Sequence, residues 1–384
     1  MEGSLVFILA VSAAVALYGF AVSAFSTALV GLVRRKIPRA GDFSETVSVI
    51  IAARNEAGRM EGLLKQMLRQ DFPVSRMEVI VSDDDSTDGT LAVVHAFGAS
   101  HPGFPLRIVT TPSGTTGVKG KKGAIGRAVA IAGGAVLLFT DADTERGPGW
   151  ITSMTGMFSD PGTCMVLGPV ALNGGRSLLR EIQSLEFLGL MGVTAGSAEL
   201  GFPVMSNGAN LAYRRGLFNR AGGFTGNERF LSGDDQFMLA AARRDRFAKG
   251  GTRFNLAPEA VVTTEPESTL RGFAAQRIRW VSKSRGYRDP AVIATGLVTF
   301  LAHALLSAGL AAALFKPVLA VPILALWVLK ALADLPTVLI MGRFFGKKVR
   351  VLPYLAAQAF QVVYVTLAGT VGLFLPFTWK GRRG

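Results

Sequence analysis

Residues Leu5 to Val33 run without a single charged side chain, and no other feature constrains the chain as strongly. As a helix such a run reaches roughly 43 Å, enough to cross a hydrocarbon core with tilt. It is longer than the apolar core of a secretory signal, and Glu2 is the only charge before it. We therefore read an uncleaved anchor rather than a cleaved leader. Arg34, Arg35, Lys36 and Arg39 follow at once, which places that side of the bilayer in the cytoplasm. The chain becomes apolar again from Ala291, with spans expected near Ala291–Phe315, Val318–Met341 and Leu352–Phe374. Lys316-Pro317 and the basic loop Arg343–Arg350 separate them. Lys330 and Asp334 stand four apart in the middle span, where they can pair on one helix face and reconcile their charge with lipid.

A chain that is 49% hydrophobic and 18% charged is too apolar for an ordinary soluble enzyme and too charged for a pure membrane bundle. The net charge of +14 invites a nucleic-acid reading, but its placement argues against one. Stretches 34–39, 271–288, 343–350 and 380–383 together hold 17 Lys and Arg, more than the whole excess. Basic residues beside membrane segments suit anionic headgroups and set topology. No recognition helix, zinc finger or aromatic RNA-binding pattern is present, so no nucleic-acid partner is expected. Cys164 is the only cysteine, which rules out an intrachain disulfide. His95, His101 and His303 lack zinc-ligand spacing and read as structural.

Between about Phe43 and Asp289 strand-like and helix-like stretches alternate. Val47–Ile51, Glu78–Val81, Arg107–Val109 and Ala135–Thr140 read as strands; Gly58–Arg69, Thr90–Phe97 and Lys122–Ala132 read as helices. This order predicts a doubly wound α/β sheet with right-handed crossovers. A dinucleotide-binding fold would need Gly-x-Gly-x-x-Gly after the first strand; here Ala52-Ala53-Arg54-Asn55-Glu56 follows instead. The second strand runs into Asp83-Asp84-Asp85, whose carboxylates suit the N–H and O–H donors of a base or ribose better than bare phosphate. Gly117 to Gly123, with Lys119, Lys121 and Lys122, precedes a helix and is the better phosphate neighbourhood.

Asp141-Ala142-Asp143 lies beyond the carboxyl end of the Ala135–Thr140 strand, where open parallel sheets present ligands. Two close carboxylates repel each other unless a positive group sits between them. A hard divalent cation does this well, and Mg²⁺ typically takes one or two carboxylates plus substrate phosphates. Downstream, Ser206–Asn210 leads to Ser232-Gly233-Asp234-Asp235 at a helix start. There an acidic residue is either a cap or a general base whose acidity is tuned by burial and its neighbour. Gln276, Arg279 and Trp280 share one face of a helix by their spacing. Arg suits a diphosphate and Trp suits stacking on a ring or closing a channel, although an interfacial amphipathic helix would show the same residues. A second interfacial helix is expected over Ile182–Val193.

Taken in order, Val47–Glu56, Asp83-Asp84, Lys122, Asp141-Ala142-Asp143, Asp234-Asp235 and Gln276-Arg277-Ile278-Arg279-Trp280 resemble the membrane-bound family 2 glycosyltransferases. That group includes cellulose, hyaluronan and chitin synthases and ceramide glucosyltransferases. The likeness covers roughly residues 43 to 285. It implies a GT-A nucleotide-sugar-binding domain at 34–289, between a transmembrane anchor at 1–33 and an all-α transmembrane region at 290–384. By resemblance, Asp84 with Asp83 binds the base, helped by Ala53, Asn55 and Glu56, and Lys122 lies near the nucleotide or its phosphates. Asp141 and Asp143 hold Mg²⁺ or Mn²⁺ against the diphosphate, with Asp143 the direct ligand. Asp235, beside Asp234, matches the general base, while Gln276, Arg277, Arg279 and Trp280 serve the acceptor and diphosphate. Asp85 stands where many relatives have Gly, and Asp234 where Glu is commoner. The short membrane region after Trp280 favours transfer of one sugar from a UDP- or GDP-sugar to a membrane lipid or lipid-linked acceptor, by an integral protein of a bacterial cytoplasmic membrane with its catalytic domain facing the cytoplasm. A processive polysaccharide synthase is the alternative, and a catalytically silent nucleotide-sugar- or glycan-binding scaffold the third reading. Three spans after the catalytic domain would strand Lys380–Arg383 outside, against the positive-inside rule; a re-entrant or interfacial segment would return that tail.

Overall fold

The computed structural model describes residues 2–35, 43–111, 120–175, 177–227, 233–245 and 251–374, with the backbone of 378–379 and 382–383. Gly117 and Lys119 of the expected phosphate neighbourhood, and Lys36, Arg39, Ser232 and Lys380, lie outside the described residues. The chain runs α1 (Glu2–Arg34), β1 (Val47–Ala53), α2 (Ala57–Leu68), β2 (Met77–Asp83), α3 (Thr90–Ser100), β3 (Leu106–Val109), α4 (Gly120–Ile131) and β4 (Val136–Thr140). Then come β5 (Thr144–Arg146), α5 (Trp150–Gly156), β6 (Met165–Leu167), β7 (Val170–Leu172), α6 (Leu178–Glu199), β8 (Leu211–Arg214), α7 (Arg215–Arg220) and α8 (Asp234–Arg244). It ends with β9 (Thr252–Phe254), β10 (Val262–Thr264), α9 (Leu270–Ser282), α10 (Pro290–Ala313), α11 (Ala320–Phe344), α12 (Val351–Val371) and a short β11–β12 pair (Thr378–Trp379 and Arg382–Arg383).

These elements form two compact units. One holds Arg35–Ala171, Gly201–Glu265 and Thr378–Gly384; the other holds Met1–Arg34, Leu172–Leu200 and Pro266–Phe377. The first is built on a seven-stranded sheet of order β3-β2-β1-β4-β8-β6-β9. Strands β1 to β4 run parallel, and β8 is antiparallel to both β4 and β6. Their near-continuous apolar sequences follow from burial on both faces, as parallel strands require. Val49, Ile51, Val79, Val81, Val136 and Leu138 pack with Met60, Leu63, Leu64 and Met67 of α2. In register, Ala53 lies opposite Asp83, and Ile51 opposite Thr140. Strands β2, β1 and β4 therefore end nearly in step. Strand β1 also has β2 on one side and β4 on the other, so the winding reverses at its carboxyl end, the position where doubly wound sheets bind ligands. A smaller sheet, β5-β10-β7, follows Asp143 directly.

In the helical unit, four helices are long and apolar enough to cross a bilayer: Glu2–Arg34, Pro290–Ala313, Pro317–Phe344 and Val351–Val371, among the described residues. Val11, Val15, Leu306, Leu319, Ile323 and Val362 form one apolar cluster among them. Helix α6, which contains the helix expected at Ile182–Val193, packs tightly on α1. A Cβ at Gly196 would lie 2.2 Å from the Phe25 carbonyl oxygen, so only glycine permits this approach. The expected Lys330–Asp334 pair is present at 2.9 Å. It is satisfied by side chains that spacing alone does not connect: Tyr18 donates to Asp334 at 2.7 Å, and Lys330 donates to Gln358 at 2.8 Å and to Gln361. His303 is buried with Nδ1 2.7 Å from the Thr299 carbonyl, and the His101 ring stacks on Phe97, so both serve structure.

Candidate active site

Three loops leave the carboxyl ends of β1, β2 and β4, and the first two lock each other. Asn55 N–H donates to Ser86 Oγ at 3.0 Å, and Asn55 Oδ1 accepts from Thr87 N–H at 2.8 Å. Glu56 N–H donates to Thr90 Oγ1 at 2.8 Å, and Arg54 Nη1 to the Asp84 carbonyl at 2.5 Å. Asn55 and Asp85 both hold left-handed backbone, with φ of 53° and 62°. This accounts for the Asp85 position, since glycine takes that conformation freely and Asp tolerates it better than most residues. Asp83 Oδ2 accepts from Ser86 N–H at 3.0 Å, while its Oδ1 is buried and accepts no hydrogen bond among the described residues. A buried acceptor left so costs about 1–3 kcal/mol, and it is an atom that an incoming N–H donor would satisfy. Asp84 is buried beside the Arg127 guanidinium, 3.9 Å away.

The third loop meets a cation supplied by α4. Lys121 Nζ lies 2.6 Å from Asp141 Oδ1 and 3.7 Å from Asp234 Oδ2. Burial alone would lower the pKa of this ammonium, but the carboxylates of Asp141 and Asp234 outweigh it and hold it well above the usual lysine range. Asp235 is fixed by Gly208 N–H, which donates to Oδ2 at 3.2 Å, and by Gln236 N–H, which donates to Oδ1 at 2.8 Å. Gly208 is confined too: a Cβ there would sit 3.1 Å from both Asp234 Oδ2 and Lys121 Nζ. One ammonium thus ties the Asp141 loop to the start of α8. Lys122, by contrast, is 0% exposed; its ammonium donates to the Asn227 carbonyl and lies over the Phe237 ring. In the sequence Lys121 is one of a basic group, because adjacent lysines differ solely in the helix face they occupy.

For Asp143 the charge of Arg59 offsets its surroundings only in part. The protein packed around it, then Asp141, then Glu56 raise its carboxyl above the ordinary aspartate range. A carboxyl that binds its proton more tightly when folded adds stability below its unfolded range and loses it as pH rises through its folded value. Without divalent cation the melting temperature is expected to fall across that rise. If Asp143 holds a divalent cation, proton and cation compete for its oxygen, and Mn²⁺ is expected to raise the melting temperature more at about pH 7.5 than at about pH 5. Melting curves at the two pH values, with and without Mn²⁺, check this; equal shifts would contradict it.

The donor chemistry fits a Mg²⁺ or Mn²⁺ completed by substrate. Among the described residues no group of three or more His, Cys, Asp or Glu could hold a metal, so there is no all-protein cage. Asp141 and Asp143 would supply two hard oxygens, and their mutual repulsion raises the Asp143 carboxyl; such cations bind through one or two carboxylates plus phosphates.

All of Ala53, Asn55, Glu56, Asp83, Asp84, Lys122, Asp141, Asp143, Asp234 and Asp235 belong to the sheet unit. Gln276, Arg277, Arg279 and Trp280 lie on α9 of the helical unit. There Arg277 is buried, paired with Glu186 at 2.5 Å, and Trp280 packs beside Phe187.

The sequence profile of glycosyl transferase family 21 matches residues 11–381, nearly the whole chain. The chain belongs to glycosyl transferase family 21. This family is of the GT-A type and akin to family 2. Among relatives of this family 21 chain, a probable glycosyltransferase of Bacillus subtilis, YdaM, is 27% identical over 237 residues, 61% of this chain and 54% of that protein. A beta-monoglucosyldiacylglycerol synthase of Synechocystis is 30% identical over 115 residues, 30% of this chain and 23% of that protein. The chain spans about half the length of the first of these relatives. A solved mannosyltransferase from Pyrobaculum calidifontis, in complex with GDP-Man and Mn²⁺, superposes with a TM-score of 0.60 at 20% identity, covering 96% of this chain and 99% of that one. The likeness confirms the GT-A fold.

Proposed function

We propose that this chain transfers a sugar from a UDP- or GDP-sugar to a membrane lipid or lipid-linked acceptor, with inversion and with a divalent cation. One observation carries this reading. Carboxylates at the ends of β2 and β4, and those opening α8, gather at one edge of the sheet, and Lys121 joins two of the three sets. A binding scaffold needs no acidic residue placed like Asp235. The relative named for a diacylglycerol product and the apolar helices support a lipid acceptor.

In this mechanism Asp83 and Asp84 receive the base, with Ala53, Asn55 and Glu56 shaping the loop around it. Asp141 and Asp143 would hold Mg²⁺ or Mn²⁺, which supplies positive charge where the diphosphate leaves. Asp235, oriented by two backbone amides, accepts the acceptor hydroxyl proton, so that oxygen attacks the anomeric carbon from the face opposite the diphosphate. Asp234 keeps Lys121 close. Lys122 supports this region through Phe237 and Asn227. Gln276, Arg279 and Trp280 serve the acceptor and the departing diphosphate, where charge develops most in the transition state. Membranes containing the chain, incubated with labelled UDP-glucose, UDP-N-acetylglucosamine or GDP-mannose, are expected to label lipid with one donor and to stop with EDTA. No transfer from any donor would contradict the proposal.

Contacts within the helical unit bear on the course of α12. The loop leading into α12 touches α6, with Arg350 paired to Glu181 at 2.5 Å and Lys347 donating to Ser184 at 2.8 Å. The far half of α12 also meets α6 and α9, through Tyr364 to Glu186, Phe360 to Phe273, and Gly372 against Val281. The start of α12 thus lies by α6 and its far half by α6 and α9, which supports reading it as a re-entrant segment with the basic tail on the cytoplasmic side. Phe374, 77% exposed, is the place to test this. Burial pushes the Cys164 thiol up to about 11, so it reacts slowly with maleimide near neutral pH. A Phe374→Cys variant is expected to be labelled in inverted vesicles and not in intact cells; the reverse would place the end of α12 outside.

A further inference from the structure

Within the helical unit, the Arg277 guanidinium is held from three elements. Its Nε donates to Glu186 Oε1 at 3.0 Å and its Nη2 to Oε2 at 2.5 Å, a two-pronged pair with α6. Tyr364 of α12 donates to the same Glu186 Oε1. Arg277 Nη1 donates to the Gln276 side-chain oxygen, and Gln276 Nε2 reaches Glu267 at 3.3 Å. Glu267 is itself fixed to α6, its N–H donating to Gln183 Oε1 at 3.0 Å and its carbonyl accepting from Gln183 Nε2 at 2.9 Å. Aromatic rings cover the remaining surface: the guanidinium carbon lies 4.3 Å from the Phe273 ring centre, 4.2 Å from Trp280 and 6.0 Å from Tyr364. Arg277 is only 4% exposed, so its charge is spent inside the unit.

A buried ion pair contributes little net stability compared with a well-packed apolar set, and its best-attested use is to fix one geometry. Only a planar guanidinium makes two parallel bonds to a carboxylate while lying flat on an indole; a lysine does neither. We propose that Glu186 and Tyr364 are positioning residues for the transfer reaction. Acting through Arg277, they set the orientation of the Trp280 ring and the Gln276 amide. This rests on the reading above, in which Gln276 and Trp280 serve the acceptor. It also gives Arg277 a role distinct from Arg279: it orients neighbours rather than meeting the diphosphate.

The test uses the full chain in lipid nanodiscs, comparing wild type with Glu186→Gln, Tyr364→Phe and Arg277→Lys. Glu186→Gln keeps the side-chain shape but removes the charge, and a displacement of reacting groups by about 1 Å costs ~10²-fold. We expect kcat/KM for the acceptor to fall ~10- to 100-fold, mainly through KM, with nucleotide-sugar binding within about twofold of wild type. Tyr364→Phe is expected to move the same way by less, and Arg277→Lys not to restore the wild-type value. The chain has four tryptophans, so the Trp280 emission is taken as the difference from Trp280→Phe; it is expected to shift red in Glu186→Gln. Wild-type acceptor KM together with an unshifted Trp280 emission in Glu186→Gln would overturn the proposal. So would a parallel loss of donor binding and melting temperature in all three variants, which marks a merely structural knot. If wild type transfers no sugar, the parent reading fails, and the Trp280 emission still decides whether Glu186 sets the ring.

Discussion

Asp235→Asn is expected to lower turnover by ~10²–10⁴-fold while leaving donor binding measurable. Asparagine keeps an oxygen to accept from Gly208 N–H, one of the two bonds that orient Asp235, so the local shape survives. It cannot take a proton at neutral pH. The loss should therefore appear in kcat, with nucleotide-sugar affinity close to wild type. Asp234→Asn makes the contrast. Its carboxylate faces the Lys121 ammonium at 3.7 Å, so the substitution weakens a counter-ion, and a smaller loss is expected. Isothermal titration with the donor and single-turnover transfer separate the two variants. A silent Asp234→Asn chain beside an active Asp235→Asn chain would move the base to Asp234.

The second large effect concerns Asp143. A bound divalent cation supplies several kcal/mol of charge stabilisation at a leaving diphosphate, so Asp143→Asn is expected to cost ~10³-fold in turnover and to abolish the response to Mn²⁺. Its effect on stability has the opposite sign. Burial and the neighbouring Asp141 and Glu56 disfavour the Asp143 charge, and removing that charge relieves the repulsion. The cation-free Asp143→Asn chain should melt above wild type near neutral pH, an exchange of stability for function. Asp141→Asn should behave otherwise, because it removes the charge of the carboxylate 2.6 Å from the part-buried Lys121 ammonium; the chain should melt lower. Melting curves of both variants with EDTA, and again with Mn²⁺, check these signs. A lower cation-free melting temperature for Asp143→Asn would contradict the account.

The parallel sheet was readable because buried strands such as Val47–Ile51 and Val136–Thr140 appear as apolar runs ending in polar turns. Their common end was readable too, since each run stops at an acidic or amide-rich loop. What escaped the sequence depends on side-chain direction. Lys121 and Lys122 have the same chemistry, yet one faces Asp141 and Asp234 while the other is sealed under Phe237. Glu186 is one carboxylate in an otherwise apolar stretch of α6, with nothing in its spacing to link it to Arg277, 91 residues on. The same holds for Tyr18 and Gln358, which complete the Lys330–Asp334 pair from distant helices. Periodicity reveals which face of an element is buried. It does not say what that face meets.

The central claim is the transfer of single sugars to lipid with inversion. Its most direct test is to purify the chain in nanodiscs, supply each nucleotide-sugar with Mn²⁺ and a total lipid extract, and examine the product by mass spectrometry and anomeric proton NMR. The account predicts a lipid heavier by one sugar, with anomeric configuration opposite to that of the donor, and no product in EDTA. A ladder of long glycans, a product that retains the donor configuration, or donor hydrolysis without a lipid product would contradict it.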